Sequence, residues 1–343
     1  MTGVTEEPTA ARLTGQVEPI LPAAVRKRSR RGRKRPTGAP RGKEHVSLRA
    51  KLATYLVLAP IAILFVAPFA WLVSASMQPL STIFHNPPTW IPDHPTVAGY
   101  KGFLNVGHLT KAQQAQGHGD WRWFANSAFV SLSVTALQTF FNALCAYTFA
   151  KRKFPGRNAI FVLFLGTMMV PGQITLIPNY IIIQHIPFFG GNDWLGGGGH
   201  GWLDSYWGLI MPGVVSAFGI FLLRQYMMTI PDELLDAARI DGAGEFRIFW
   251  SVVLPLCAPA LAANAIFTFQ AAWEDFLWPL IVTSGDPDKV TAPVGLALFV
   301  VQNRTDWNLL FAGSVIATLP MIIVFIIFQR QFVRGIAVTG VKG

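Results

Sequence analysis

The sequence predicts an all-α integral membrane protein with six transmembrane helices. Composition is the first reason: 52% of the 343 residues are hydrophobic and only 13% are charged, with a mean hydropathy of +0.40. Soluble domains carry about 25% charged residues. The second reason is that six segments supply the ~20 mainly apolar residues a helix needs to cross a bilayer. The third is that basic residues are concentrated in alternate loops, as the positive-inside rule requires.

Taken in order, the chain opens on a polar tail, residues 1–50, and the apolar region occupies 51–343. Of the 28 Lys and Arg, 12 fall between Arg26 and Lys51, and "RKRSRRGRKRPTGAPRGK" has almost no apolar residue. Such a stretch is expected to be disordered. It has the charge to bind nucleic acid or lipid headgroups. Because a membrane span follows at once, a topogenic tail held in the cytoplasm is the favoured reading, and no nucleic-acid partner is expected. It is not the pattern of a signal peptide, since the basic region is far from the start and the apolar run after it is long.

The six spans are predicted at Leu52–Met77, Trp123–Ala150, Ala159–Gln184, Tyr206–Met228, Ala258–Thr283 and Leu309–Phe328. Pro171-Gly172 and Pro178 are expected to interrupt the third and Pro212-Gly213 the fourth, because proline removes a backbone donor and frees a carbonyl. Broken spans are weak pointers to a translocation path, and Gly and Pro are also common in ordinary membrane helices. Residues 78–122 form a long polar connection, and "GGNDWLGGGGHG", Gly190–Gly201, is expected to be a flexible loop outside the membrane. The tail, the segment Lys151–Arg157, the segment around Arg239 and the C-terminus hold 23 Lys and Arg, counting Arg224 at the end of the fourth span with them, and the other loops hold five. Both termini are therefore placed in the cytoplasm.

Between the fourth and fifth spans lies "DELLDAARIDGAGEFRIFWSVVLPL", Asp232–Leu256. Pro231 suits a first helical turn, and Asp232 and Glu233 complement the positive end of the helix. Asp241-Gly242 is a turn dipeptide. A second short helix carrying Phe246, Phe249, Trp250 and Val253 is expected to end at Leu254-Pro255. Ala237, Ala238, Gly242, Ala243 and Gly244 leave part of this helix–turn–helix nearly bare, so another backbone can approach closely. The residues alone support two readings: a docking knob for a cytoplasmic partner, and an amphipathic loop lying in the headgroups.

The spacing resembles the signature of permease subunits of ABC importers: Glu-Ala-Ala, three residues, Gly, nine residues, Ile-x-Leu-Pro. Here it reads Asp236-Ala237-Ala238, Gly242 and Val252-Val253-Leu254-Pro255, with Asp for Glu and Val for Ile. Other stretches are similar to the carbohydrate-uptake branch, which contains the second permease of the maltose and glycerol-phosphate importers. They include "PFAWLVSASM", "AYTFAKRKFPGR", "MMVPGQITLIPNY", "FTFQAAWEDFLWPLIVT" and the ending "RGIAVTGVKG". The resemblance covers roughly residues 50–343, leaving the tail, part of the 101–120 loop and the glycine loop as additions.

The resemblance implies a cytoplasmic coupling helix in a unit spanning about 230–256. Asp236, Ala237, Ala238, Asp241, Gly242, Leu254 and Pro255 would couple to an ATPase, and Gly340, Val341, Lys342 and Gly343 would form a tail reaching towards the ATPase pair. It implies a heterodimer with a second permease, two ATPase subunits, an external solute-binding protein and a bacterial or archaeal cell membrane. The chain itself would bind no cofactor and catalyse nothing; ATP and Mg would be used by the partner ATPase. The expected cargo is a sugar. The alternatives are glycerol-phosphate, a polyamine or a peptide in the same machine, or a stand-alone secondary transporter.

Within span five, Gln270, Trp273, Glu274 and Asp275 are candidates to line the path, with Asn179 and Gln173 as further ones. An aromatic ring stacks on the apolar face of a sugar, and carboxylates accept from its hydroxyls. An acid near the bilayer centre costs about 3 kcal/mol, so its presence asks for a function or a polar partner between helices. Nothing else suggests chemistry. There is no G-x-x-x-x-G-K-[ST] loop, no H-E-x-x-H and no Cys-His metal spacing, and Cys145 and Cys257 read as small packing residues. A membrane-embedded enzyme finds no catalytic constellation in the spans.

Overall fold

The computed structural model describes residues 48–84, 89–104, 121–301, 304–305 and 307–339. The expected basic tail lies outside them except for its last three residues. So do residues 105–120 and the terminal Gly340, Val341, Lys342 and Gly343. The chain divides into two units, Met1–Pro60 and Ile61–Gly343. The described part of the first is the opening of helix α1 (Leu48–Ser76).

Among the described residues the regular structure is helical, apart from a two-residue antiparallel pair, Val300–Val301 with Arg304–Thr305, and turns fill the long connections such as 185–205. Three helices are long and apolar enough to cross a membrane: α1, α3 (Trp121–Lys151) and α14 (Trp307–Thr339). Leu64, Phe65 and Phe69 of α1 stand exposed, as lipid-facing side chains do. Three further candidates are bent pairs. Helix α4 (Arg157–Thr167) meets α5 (Gly172–Gln184) at 101°, and Tyr206–Gly213, which opens with α6 (Tyr206–Ile210), meets α7 (Ala217–Met227) at 43°. The run Glu245–Leu256 meets α11 (Ala258–Trp273) at 82°. By length and composition the described residues thus hold three crossing helices, or up to six if each bent pair counts as one.

The breaks at Pro171-Gly172 and at Pro212-Gly213 occur where the sequence places them. Pro178 does not interrupt: it lies inside α5, costs that helix its bond to the Ile174 carbonyl, and the helix continues. The fifth segment, expected as one helix, is broken after Trp273: Pro279 has no amide for the Asp275 carbonyl and crowds it, so a new helix, α12 (Leu277–Val282), starts just before the proline, and α13 (Ala292–Ala297) follows.

Helix α3 packs against α7 and α11, and α14 against α11 and the short α2 (Ala98–Phe103). A polar seam runs along this contact. Gln138 and Asn142, one turn apart on α3, serve the break before α7. Gln138 Nε2 donates to the Gly213 carbonyl at 2.7 Å, and Asn142 Oδ1 accepts from the Ser216 amide at 3.0 Å. From α11, Thr268 Oγ1 donates to Gln138 Oε1 at 2.5 Å and Asn264 Nδ2 to Thr139 Oγ1 at 3.1 Å. In lipid, backbone groups freed by a break have no water to turn to, so neighbouring side chains must take them. Gly219 lies against both amides, where a Cβ would stand 2.0 Å from Asn142 Nδ2 and 2.4 Å from Asn264 Oδ1.

The glycine-rich loop is not the flexible segment expected from its composition. Asn192 Nδ2 donates to the carbonyls of Gln184 and Ile186, its Oδ1 accepts from the Gly199 amide, and Asp193 Oδ1 accepts from the Leu195 and Gly197 amides. The glycines serve this fold: Gly201 has φ +59° and approaches the Ile183 carbonyl so closely that a Cβ would lie 2.3 Å from its oxygen.

Candidate functional site

Two places gather the residues singled out by sequence. The first is the unit between α7 and α11. Helix α8 (Asp232–Ile240) starts after Pro231, with Asp232 and Glu233 in its first turn. It ends in a left-handed glycine cap: Gly242 has φ +80°, its amide donates to the Arg239 carbonyl, and the Ala243 amide donates to the Ala238 carbonyl, both at 3.0 Å. These two bonds satisfy carbonyls that a helix end otherwise leaves free, and only glycine takes that conformation without strain. A Cβ on Gly242 would meet nothing within 4 Å, so the need for glycine inside the chain is conformational.

After the turn, α9 (Glu245–Ile248) passes into a π-helical turn, Phe249–Val253, and then α10 (Leu254–Leu256). The sequence expectation ends this segment at Leu254-Pro255. The structure carries it to Leu256, with the bend at Cys257. Proline lacks an amide and crowds the carbonyl four residues earlier, and a widened turn just before it accommodates both.

Leu235, Ile248 and Phe249 are buried with Tyr147 of α3 and Leu223 and Met227 of α7, which seats the unit on the two helices. Polar contacts pin it further. Lys151, at the end of α3, donates to the Ile230 carbonyl at 2.5 Å and to Asp232 Oδ1 at 2.6 Å. Glu245 is a hub. Its Oε2 accepts from the Tyr147 hydroxyl at 2.6 Å, and its Oε1 accepts from Arg239 Nε at 3.1 Å and pairs with Arg152. Arg239 also pairs with Asp236 at 2.6 Å. The Tyr147 hydroxyl, with Arg239 and Arg152 adding their charge, holds the Glu245 carboxyl below its ordinary value, and Lys151 does the same for Asp232.

The other side of the unit is bare. Leu234, Ala237, Ile240, Phe246 and Trp250 are exposed, Ile240 at 87%, and the Phe246 and Trp250 rings stack at 18° between planes. Tyr147, Lys151, Arg152 and Glu245 were not singled out by sequence. The basic cluster after the second span and the acid three residues beyond Gly242 were the available signal.

The second place is a cavity of about 400 Å³ between α3, α5, α6, α11 and α12. It brings together Gln173, Asn179 and Asp275, with Gln138, Thr268 and Trp278 beside them. Gln270, Trp273 and Glu274 do not line it. Trp273 is buried, stacks on Phe269 and donates from Nε1 to the Ala317 carbonyl of α14 at 3.1 Å. Gln270 and Glu274 are exposed and contact each other at 3.4 Å. Helical spacing explains the division: Thr268, Ala271, Ala272 and Asp275 recur on the face that lines the cavity, whereas Gln270 and Glu274, four residues apart, share a different face. Asp275 Oδ1 accepts from the Trp278 amide at 3.4 Å. Among the described residues no group of three or more His, Cys, Asp or Glu could hold a metal ion.

The sequence profile described as "Binding-protein-dependent transport system inner membrane component" matches residues 138–338. The arabinooligosaccharides transport system permease protein AraQ of Halalkalibacterium halodurans is 35% identical over 283 residues, 82% of this chain and 93% of that protein. The sn-glycerol-3-phosphate transport system permease protein UgpE of Yersinia pestis is 34% identical over 288 residues, covering 83% and 92%. Among solved structures, a bacterial ABC transporter that imports the acidic polysaccharide alginate shares the fold, with a TM-score of 0.66 at 22% identity over 82% of this chain and 96% of that one. The profile match and these relatives place the chain in the family of binding-protein-dependent transport system inner membrane components, the permease subunits of ABC importers.

Proposed function

We propose that this chain is one permease of a sugar importer driven by a separate ATPase. It crosses a bacterial or archaeal cell membrane six times, keeps both termini in the cytoplasm, and pairs with a second permease. Two ATPase subunits dock from the cytoplasm and an external binding protein delivers the solute. The chain hydrolyses nothing; ATP and Mg belong to the partner.

The observation that carries this reading is the two-sided build of α8 and its turn. One side is clamped to α3 and α7 through Leu235, Lys151 and Glu245, while the other presents Leu234, Ala237, Ile240 and the stacked pair Phe246–Trp250 uncovered. A helix lying in headgroups has no use for a rigid ionic clamp, whereas a part that must transmit a push needs one. Asp236, Ala237, Ala238, Asp241 and Gly242 then form the contact, and Leu254 and Pro255 shape the bend through which it joins α11. Gly340, Val341, Lys342 and Gly343 would lie towards the ATPases.

The test is purification of the tagged chain from native membranes in a gentle detergent, followed by identification of the bound subunits and assay of ATP hydrolysis. A second six-span permease and an ATPase in stoichiometric amounts, with hydrolysis stimulated by the binding protein, is the expected result. Isolation of this chain alone as a homo-oligomer, active without an ATPase, would overturn it in favour of a stand-alone transporter.

A further inference from the structure

Relatives named for a neutral cargo and for a phosphate-bearing one match this chain almost equally, at 35% and 34% identity, so cargo charge has to be read from the cavity. We propose that the cavity between α3, α5, α6, α11 and α12 is a solute-selecting station that takes neutral polyhydroxylated solutes and excludes anions. The proposal rests on the permease reading above and sharpens it.

The lining contains one carboxylate, Asp275, and no Lys, Arg or His. Among the described residues no cation pairs with that carboxylate, which accepts a hydrogen bond from the Trp278 amide. Most of the wall is apolar, including Val130, Val134 and Leu176. In such surroundings the field of a single charge is poorly screened, so a phosphate or uronate entering the cavity meets repulsion and no compensating base. A polyamine carries several positive charges and would find a single acid.

A sugar hydroxyl needs groups that both donate and accept. Gln173 and Asn179 offer free side-chain amides, with no partner among the described residues. Gln138 and Thr268 are already committed to each other and to Gly213, so they form a fixed rim and not ligands. Trp278 is held by its Nε1 bond to the Gly208 carbonyl at 3.0 Å and adds a rigid aromatic wall. A cavity of about 400 Å³ falls in the usual range for small-molecule sites.

The experiment uses the purified complex in nanodiscs, with Cys145→Ala, Cys257→Ala and Ala271→Cys in this chain, a lining position that leaves Gln173 and Asn179 in place. Modification rates are measured with a cationic and an anionic methanethiosulfonate reagent of matched size, each normalised to its rate with a free thiol. The cationic reagent should win by about tenfold, and Asp275→Asn should bring the ratio close to one. Leu176→Cys, on the apolar wall of the same cavity, repeats the measurement should the first variant fail to assemble. A ratio near one with Asp275 intact, a ratio indifferent to Asp275→Asn, or no reaction in either variant overturns the proposal. Protection of the introduced thiol by at least one of a panel of neutral oligosaccharides, and not by glycerol 3-phosphate or putrescine, is expected. Protection by either of those two, or by none of the sugars, overturns the solute class. Bound ATPase and stimulated hydrolysis in the same sample report on the permease reading, so a flat ratio with these intact removes only the cavity assignment.

Discussion

At Gly242 two demands meet, and substitutions can separate them. The left-handed φ of +80° is needed to close α8, and the space beyond its Cα is open for a partner. Gly242→Ala adds no bulk of consequence but should cost about 1 kcal/mol of local stability, and Gly242→Asn less, because Asn tolerates that conformation. Gly242→Trp adds a large side chain at the same backbone cost and should abolish ATPase binding. Pull-down of the ATPase with the three variants reads the difference; equal loss in all three would mean the glycine serves the fold alone. Glu245 makes a second residue-scale case. Glu245→Gln leaves Arg152 without its anion and Arg239 with Asp236 alone, and should loosen the unit by about 1 kcal/mol, seen as faster amide exchange across 232–249. The carboxyls of Glu245 and Asp232 are held below their ordinary values. Their stabilisation is therefore complete above the ordinary carboxylate pKa of about 4 and is lost as pH falls through the lowered values. Exchange protection of this unit should be flat from pH 8 to about 5 and fall only in stronger acid, and a drop near neutrality would contradict the clamp.

Elements depend on one another through the seam of α3, α7 and α11. Gly219→Ala would drive a methyl into Asn142 and Asn264, which are 0% and 2% exposed, so neither amide can move into solvent. Overpacking of this kind costs about 1–3 kcal/mol, and the thermal midpoint of the purified complex should drop accordingly. Gln138→Leu strands the Gly213 carbonyl and Thr268, with a cost of about 1 kcal/mol, in line with polar contacts inside membranes. A midpoint unchanged in both variants would show that the seam is incidental. The same helices show what was legible beforehand. Apolar length marked α3 and α14 to within a few residues at their first turns, and Pro-Gly pairs marked two of the breaks. The break after Trp273 was missed although its cause is local: Pro279 cannot bond the Asp275 carbonyl and crowds it, so the helix has to restart there. The amides that cap the breaks were hidden for a different reason, since a Gln or Asn in an apolar run has no meaning until the freed carbonyl opposite it is known. The glycine loop misled because composition reports backbone freedom and says nothing of the bonds made by Asn192 and Asp193. The helix and turn around Gly242 were the most legible part, as their chemistry is local.

For the whole molecule the open matter is how many times it crosses the membrane, and charge and geometry pull against each other at one place. Lys151, Arg152 and Lys153 precede α4 and Arg157 opens it, whereas residues 186–205 after α5 contain no Lys or Arg. The positive-inside rule puts these two ends on opposite sides. Yet α4 and α5 have 11 and 13 residues and meet at 101°. At 1.5 Å per residue their combined reach is roughly 23 Å, short of a hydrocarbon core of about 30 Å. A bent pair of that reach can still cross where neighbouring helices carry polar groups to mid-depth, and this pair borders the cavity through Gly172, Gln173 and Asn179. Charge should therefore decide. With both native cysteines removed, Lys153→Cys should react with a membrane-impermeant maleimide only after cells are permeabilised, while Trp194→Cys, at a side chain 70% exposed, should react in intact cells. If both positions react on the same side, α4 and α5 form a re-entrant hairpin and the number of crossings loses one. The unit around Gly242 would then face the binding protein and not the ATPase unless a second pair also fails to cross, so this labelling bears on the docking reading as directly as any substitution within it.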